Sequence, residues 1–146
     1  MRFSTRSRYG LRFLLRLAAQ PKGQLLQLGQ VARDENISPG YLEQIVRALK
    51  PLGILRAVRG SGGGYALAKS PSKINMEDVF QCLEGGIAPV QCLHKGENCC
   101  RQEQCISRDF WQDFDCHIRS FLRQHTLQQI WQATKQNHSG DTHVGL

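Results

Sequence analysis

Apolar side chains at Leu11, Leu14, Leu15 and Ala18 recur with helical spacing and predict an amphipathic helix over about residues 5–19. Arg8, Arg12 and Arg16 follow at i, i+4 and i+8 on another face, and "PKGQ" ends the element. Leu28, Val31 and Ala32 mark a short second helix, closed by the polar turn "DENIS". Ser38 before Pro39 is an N-cap followed by the favoured first helical residue. Leu42, Ile45, Val46 and Leu49 then repeat at i, i+3, i+4 and i+7 and build a third helix ending near Pro51. The period changes in "GILRAVRGSGGGYALAKSP", which reads as a strand over 54–58, a glycine-rich tip over 59–64 and a returning strand over 65–68. "INMEDVFQCLEGG" is again helical, with Asn75 as N-cap, Asp78 at the third position, and Gly85 and Gly86 as the stop. "IAPVQCLHKGENCCRQEQCISR" has no period and reads as a loop. Trp111, Phe114, Ile118 and Phe121 share one stripe of a long helix, and Thr126 opens a last short one. From about residue 136 the chain is polar and is predicted to be disordered.

Two short helices across a tight turn make a helix-turn-helix, and a β-ribbon directly after the second helix makes it winged. The predicted fold is mainly α with a small β-wing: a winged helix-turn-helix domain plus a long dimerisation helix. Residues 1–73 form the DNA-binding region, 74–135 the cysteine-loop and dimerisation region, and 136–146 the tail. Trp111, Phe114, Ile118 and Phe121 would lie unburied on so small a monomer, so a two-fold dimer seam along that helix is expected.

Charge sharpens this division. The chain of 146 residues carries +7, but residues 1–73 hold 13 basic and 3 acidic side chains, or +10, and the remainder holds 6 and 9, or −3. A basic half of this kind suits a polyanion. The polar face of the third helix offers Ser38, Tyr41, Glu43, Gln44, Arg47 and Lys50 as candidate contacts to double-stranded DNA, because glutamine and arginine read base edges well. Arg59, Gly60 and Ser61 at the wing tip suit a phosphate or a minor groove. A nucleotide-phosphate loop is excluded, since these glycines open a strand and no Lys-Ser/Thr follows. No base–nucleophile set stands out, so the chain is not expected to be an enzyme. Its basic first residues are too interrupted by arginine for a signal peptide, and nothing approaches the roughly 20 apolar residues of a membrane span. A cytoplasmic location without membrane attachment is expected.

Six cysteines remain. Cys82 neighbours Leu83 on an apolar face and reads as a structural thiol, and Cys116 among polar residues as incidental. The other four lie within "CLHKGENCCRQEQC". In a reducing compartment such clustering means metal or redox chemistry rather than staples. Zinc sites mostly use close cysteine pairs, whereas this loop spaces Cys92, Cys99 and Cys105 widely, which suits a bulkier iron–sulfur cluster better than a single ion. A cluster stands ahead of zinc, with a thiol switch third; an electron-transfer protein is a further alternative that leaves the basic half unexplained.

Three stretches carry a resemblance to a known family: "YGLRFLLRLA", "ISPGYLEQIVRALKPLGILRAVRGSGGGYALAKSPSKI" and "CLHKGENCCRQEQCISRDFW". To about Trp131 the chain resembles the winged-helix transcription regulators of the IscR and NsrR type, which sense iron–sulfur status or nitric oxide. The resemblance implies a homodimer on a roughly palindromic operator, with long helices crossing at the dimer axis and a cluster near it. It implies Cys92, Cys99 and Cys105 as ligands, with Cys100 a possible substitute for Cys99; the choice of Cys99 puts Arg101 and the residues after it in the family's register. A 2Fe–2S cluster is placed ahead of 4Fe–4S. The fourth ligand departs from the pattern, because Ser107 and Arg108 stand where some relatives carry histidine and Arg8 where others carry an acid. His94, Glu103, Asp109 or His117 could serve there, as could water or a small thiol.

Overall fold

The computed structural model, which describes residues 3–97 and 99–139, begins with α1 (Thr5–Ala19). Phe13, Leu14 and Leu17 on its inner face are buried, and Gly10 marks where it crosses the later helix α4 (Met76–Glu84). A Cβ on Gly10 would stand 2.7 Å from the Leu83 Cδ1, so the helices cross closely here and any larger residue would push the Leu83 side chain aside. α2 (Leu28–Glu35) ends at Asn36, whose φ of 53° lies in the left-handed region that asparagine tolerates better than most residues. The Ile37 amide bonds back to the Ala32 carbonyl at 3.0 Å, and the chain turns into α3 (Pro39–Leu49). Here the Ser38 hydroxyl accepts from the Tyr41 amide at 3.2 Å, the predicted cap. Leu42, Ile45, Val46 and Leu49 are all buried, so the periodic face is the core face.

The wing is an antiparallel pair, β1 (Leu55–Val58) and β2 (Gly64–Leu67), in the register Leu55–Leu67 to Val58–Gly64. It is pinned to the helical core by Leu26, which exchanges backbone bonds of 2.8 and 2.9 Å with Tyr65. Glycine is sterically required at the base of the tip. A Cβ on Gly63 would fall 2.2 Å from the Val58 carbonyl oxygen, and one on Gly64 2.7 Å from that of Leu26.

α4 is capped by Asn75, whose side chain accepts from the Glu77 amide at 2.9 Å, and it ends at Gly85 with φ 72°. The following loop contains two short 3-10 turns, at Gln91–Leu93 and Gln102–Gln104. It delivers the chain to α5 (Arg108–Arg123) and then α6 (Leu127–Ser139). Thr126 and Gln129 cap α6 reciprocally: the Thr126 amide donates to Gln129 Oε1 at 2.8 Å and the Gln129 amide to Thr126 Oγ1 at 3.3 Å. Residues 136–139, assigned to the tail by sequence, continue this helix; 140–146 lie outside the described residues. α6 packs on α1, and backbone bonds from Met76 to His125 and from Leu127 to Ile74 staple the entries of α4 and α6 together.

Six helices and one two-stranded sheet among the described residues match the expected mainly α fold with a β-wing. None of the helices there is long and apolar enough to cross a membrane.

Candidate functional site

α3 and the wing carry the residues proposed from sequence to meet DNA. Ser38, Glu43, Gln44, Arg47 and Lys50 are exposed on α3 and its exit, and Arg59, Gly60 and Ser61 are exposed at the wing tip. The Glu43–Arg47 pair stands at 4.0 Å along the exposed face, too loose to hold either group back from another partner. Tyr41 differs. It is half-buried, stacks edge-on against Tyr9 at 6.3 Å between ring centroids, and shares a 2.8 Å hydrogen bond between its hydroxyl and that of Thr5. It joins α3 to α1 rather than standing free as a reader.

The arginines of α1 also divide. Arg12 and Arg16 bond Glu35 at 2.8 and 2.9 Å, and Arg16 reaches Asp34 at 3.0 Å, so both brace α2 against α1. Burial alone would push the Glu35 carboxyl up, but the bonds from Arg12 and Arg16 more than offset it and hold the group below its ordinary range. Arg8 rests over the Tyr9 ring at 5.7 Å.

The cysteines occupy unlike surroundings. Cys82 is half-buried on α4 and donates to the Ala48 carbonyl of α3 at 2.6 Å, and burial pushes its thiol up. It packs and positions, as its neighbours in sequence suggest. Cys92 sits half-buried in the first 3-10 turn. Half-buried Cys99 and exposed Cys100 line an open cavity of about 390 Å³ with Gln102, Glu103 and Gln104. Cys105 is exposed ahead of α5, 3.6 Å from the Ser107 hydroxyl, and hydrogen bonds from Ser107 hold its thiol below the ordinary range. Cys116 is exposed on α5.

No three His, Cys, Asp or Glu side chains converge at metal-binding distance among the described residues. The donor chemistry suits iron–sulfur binding, with three soft thiols on irregular backbone, but the loop would have to draw together to present them to one centre. The four candidates for a further ligand are also dispersed. His94 packs against Gly86, leaving no room for a Cβ there, and faces a cavity walled by α4 residues; His117 bonds the Asp113 carbonyl at 2.7 Å. Glu103 lies in the second 3-10 turn and Asp109 in the first turn of α5.

α5 divides the predicted seam between two faces. Ile118 packs against the core beside buried Leu122, and Trp111 is half-buried. Phe114 and Phe121 point outward, and Phe110, which sequence reading did not include, joins them: it is 63% exposed and stacks parallel to Phe114 at 6.3 Å. Its signal was available, since Phe110 lies one turn before Phe114. On the opposite side Arg123 grips the Glu77 carboxylate with bonds of 2.7 and 3.0 Å, and Arg119 reaches Glu77 at 3.5 Å and Asp115 at 2.7 Å. The Arg123 bonds, ahead of the opposing effect of burial, hold Glu77 below its ordinary range.

A capped helix with polar readers outward, a preceding short helix at a tight turn and a pinned glycine-tipped ribbon define a winged-helix DNA-binding transcriptional regulator. The comparisons make the assignment particular. The model of the Rrf2 family, iron-dependent transcriptional regulators, matches residues 3–133, and the chain belongs to that family. An HTH-type transcriptional regulator of Neisseria meningitidis is 32% identical over 97% of this chain and 93% of its own length. The solved structure of CymR, the global cysteine regulator of B. subtilis, superimposes with a TM-score of 0.73 at 31% identity, covering 91% of this chain and 98% of that one. The structure of T. potens IscR superimposes with a TM-score of 0.73 at 25% identity over 99% of this chain and 94% of its own.

Proposed function

We propose that this regulator binds a roughly palindromic duplex as a homodimer and that its cysteine loop makes binding depend on iron–sulfur or redox status. The observation that carries the reading is the loop's position. It leaves α4, which is bonded to the recognition helix α3 through Cys82, and enters α5, whose outer face is an unpartnered row of phenylalanines. A change in loop conformation therefore acts on both elements that set the spacing of two recognition helices.

In this reading Gln44 and Arg47 meet base edges, Arg59 enters the minor groove or contacts backbone, and Phe110, Phe114 and Phe121 face a second copy. Cys92, Cys99 and Cys105 are the residues that would hold an iron–sulfur cluster, which supplies a centre sensitive to oxidants and nitric oxide when bound. Gathering three thiolates from turns that now stand apart shortens the loop and orders it. Cys100, which lines the same cavity as Cys99, is the possible substitute for it. A cysteine switch without metal is the second reading. It is favoured by the exposed Cys105 thiol, shifted toward thiolate by Ser107, and by likeness to a protein described as a cysteine regulator.

Anaerobic purification followed by visible spectroscopy and iron and sulfide assay separates the two. The cluster reading expects a chromophore that Cys92→Ala, Cys99→Ala or Cys105→Ala each abolishes, while Cys82→Ala, Cys100→Ala and Cys116→Ala retain it. A colourless protein whose duplex affinity changes reversibly on thiol oxidation selects the switch. Duplex affinity indifferent to both treatments removes the loop from regulation.

A further inference from the structure

The first turn of α1 contains no acidic residue, although the positive end of a helix dipole favours one. The structure supplies the acid from another helix. Glu84, the last residue of α4, accepts through a single oxygen, Oε1, from the Ser4 amide and the Ser4 hydroxyl at 2.9 Å each, and from the hydroxyl of buried Ser7. One carboxylate thus fixes the start of α1. Directly after Ser4 comes Thr5, whose hydroxyl bonds that of Tyr41 in the first turn of α3. On its other side Glu84 runs directly into Gly85 and Gly86, both at positive φ, and the His94 ring of the cysteine loop is packed against Gly86. His94 is two residues beyond Cys92.

We propose that Glu84 is a positioning residue for DNA recognition and the point where the cysteine loop meets the reading helix. This rests on the reading above, in which α3 reads DNA and the loop regulates it. Glu84 touches no base. It sets the angle of α1, and the Thr5–Tyr41 bond with the Tyr9–Tyr41 stack carries that angle to the amino-terminal turn of α3, one turn before Gln44. Movement of the first cysteine turn displaces His94 from Gly86, two residues beyond Glu84 in the chain. The Cys82–Ala48 bond between α4 and α3 holds the carboxyl-terminal part of α3, so Glu84 acts on the opposite end of the same helix.

The test is a double-mutant cycle on the full chain, with a duplex selected from a random pool by the wild-type protein. The two arms are Glu84→Ala and the triple change Cys92→Ala, Cys99→Ala, Cys105→Ala. Glu84→Ala, which removes the acceptor of three hydrogen bonds and frees the start of α1, is expected to weaken binding about tenfold. Glu84→Gln, which keeps an oxygen acceptor, is expected to recover most of it. The triple change is expected to shift affinity in the Glu84 protein and leave it unaltered within about twofold in the Glu84→Ala protein, the signature of coupled sites. A thermal melt of each variant separates positioning from folding, because affinities are compared at a temperature where all are folded. Tyr41→Phe checks the later link and loses its effect in the Glu84→Ala background. Additive effects of the loop and Glu84 changes overturn the proposal, as does wild-type affinity in folded Glu84→Ala. If Gln44→Ala also leaves affinity unchanged, the assignment of α3 as the reading helix falls with it; if Gln44→Ala weakens binding and Glu84→Ala does not, the failure belongs to Glu84 alone.

Discussion

The winged half and the cysteine half of this chain are held together by different means. Up to Ile54, buried side chains recur in every helix, from Phe13, Leu14 and Leu17 through Val31 and Ala32 to Leu42, Ile45, Val46 and Leu49. Between Ile87 and Leu122 no described apolar residue is buried, although the segment carries Ile106, Phe110, Phe114 and Phe121, all exposed. The first region has its partners within its own chain. The second leaves Cys100, Cys105, Cys116 and its phenylalanines exposed. A regulator needs this division: a rigid surface to read a sequence and a compliant one to register a signal.

The largest expected contrast comes from truncating one apolar residue in each region. Phe13→Ala should lower the unfolding free energy by about 3–5 kcal/mol through the cavity it leaves, measured by urea titration. Ile106→Ala, at a fully exposed side chain, should stay within about 0.5 kcal/mol of wild type. Comparable losses at both positions would break the comparison.

Association should respond in the opposite sense. Phe114→Asp together with Phe121→Asp should yield folded monomers by sedimentation at micromolar concentration, with weak binding to a palindromic duplex and no loss of helical signal. Ile118→Asp is the poorer probe, because Ile118 packs inward and its replacement strikes the fold itself. A wild type that sediments as a monomer removes the proposed seam.

On the reading surface, Gln44→Ala should cost about 1–3 kcal/mol at one base position and relax preference there. Binding by the wild type should weaken steeply as salt rises. Salt-insensitive binding would detach the basic half from its assigned role.

The smallest effect sharpens the boundary between the regions. Arg123 and Arg119 hold the Glu77 carboxyl below its ordinary value of 4.5, so their contribution is fully present above that value and is lost as pH falls through the lowered one. Melting temperature should therefore drop more in wild type than in Glu77→Gln between about pH 6 and pH 3, by an amount matching about 0.2–1 kcal/mol for a partly exposed pair. Parallel pH profiles would show that the α4–α5 clamp contributes nothing to stability.

Local rules were enough for much of this protein. The caps at Ser38 and Asn75, the 3.6-residue repeat of α3 and the glycine stop of α4 act over a few residues, and a sequence displays them directly. The wing was legible because its period changes and its glycines cluster, although which glycines are sterically required emerged only from the approach of Leu26 and Val58. Charge is what assigns the DNA-binding role to the first half in the proposed function. Tertiary structure decided the rest. A stripe of Trp111, Phe114, Ile118 and Phe121 is one face in sequence; packing against α4 turned Ile118 inward and left the phenylalanines out, because a wide apolar arc can be shared between two neighbours. Spacing places Tyr41 on the polar face, and only the fold shows that Thr5 and Tyr9, more than thirty residues earlier, lie against it. Glu84 carries no local signal, since its partners Ser4 and Ser7 lie 80 and 77 residues away. Hydrophobic period and capping are set by neighbours along the chain; the use of a polar side chain is set by whatever the fold brings to it.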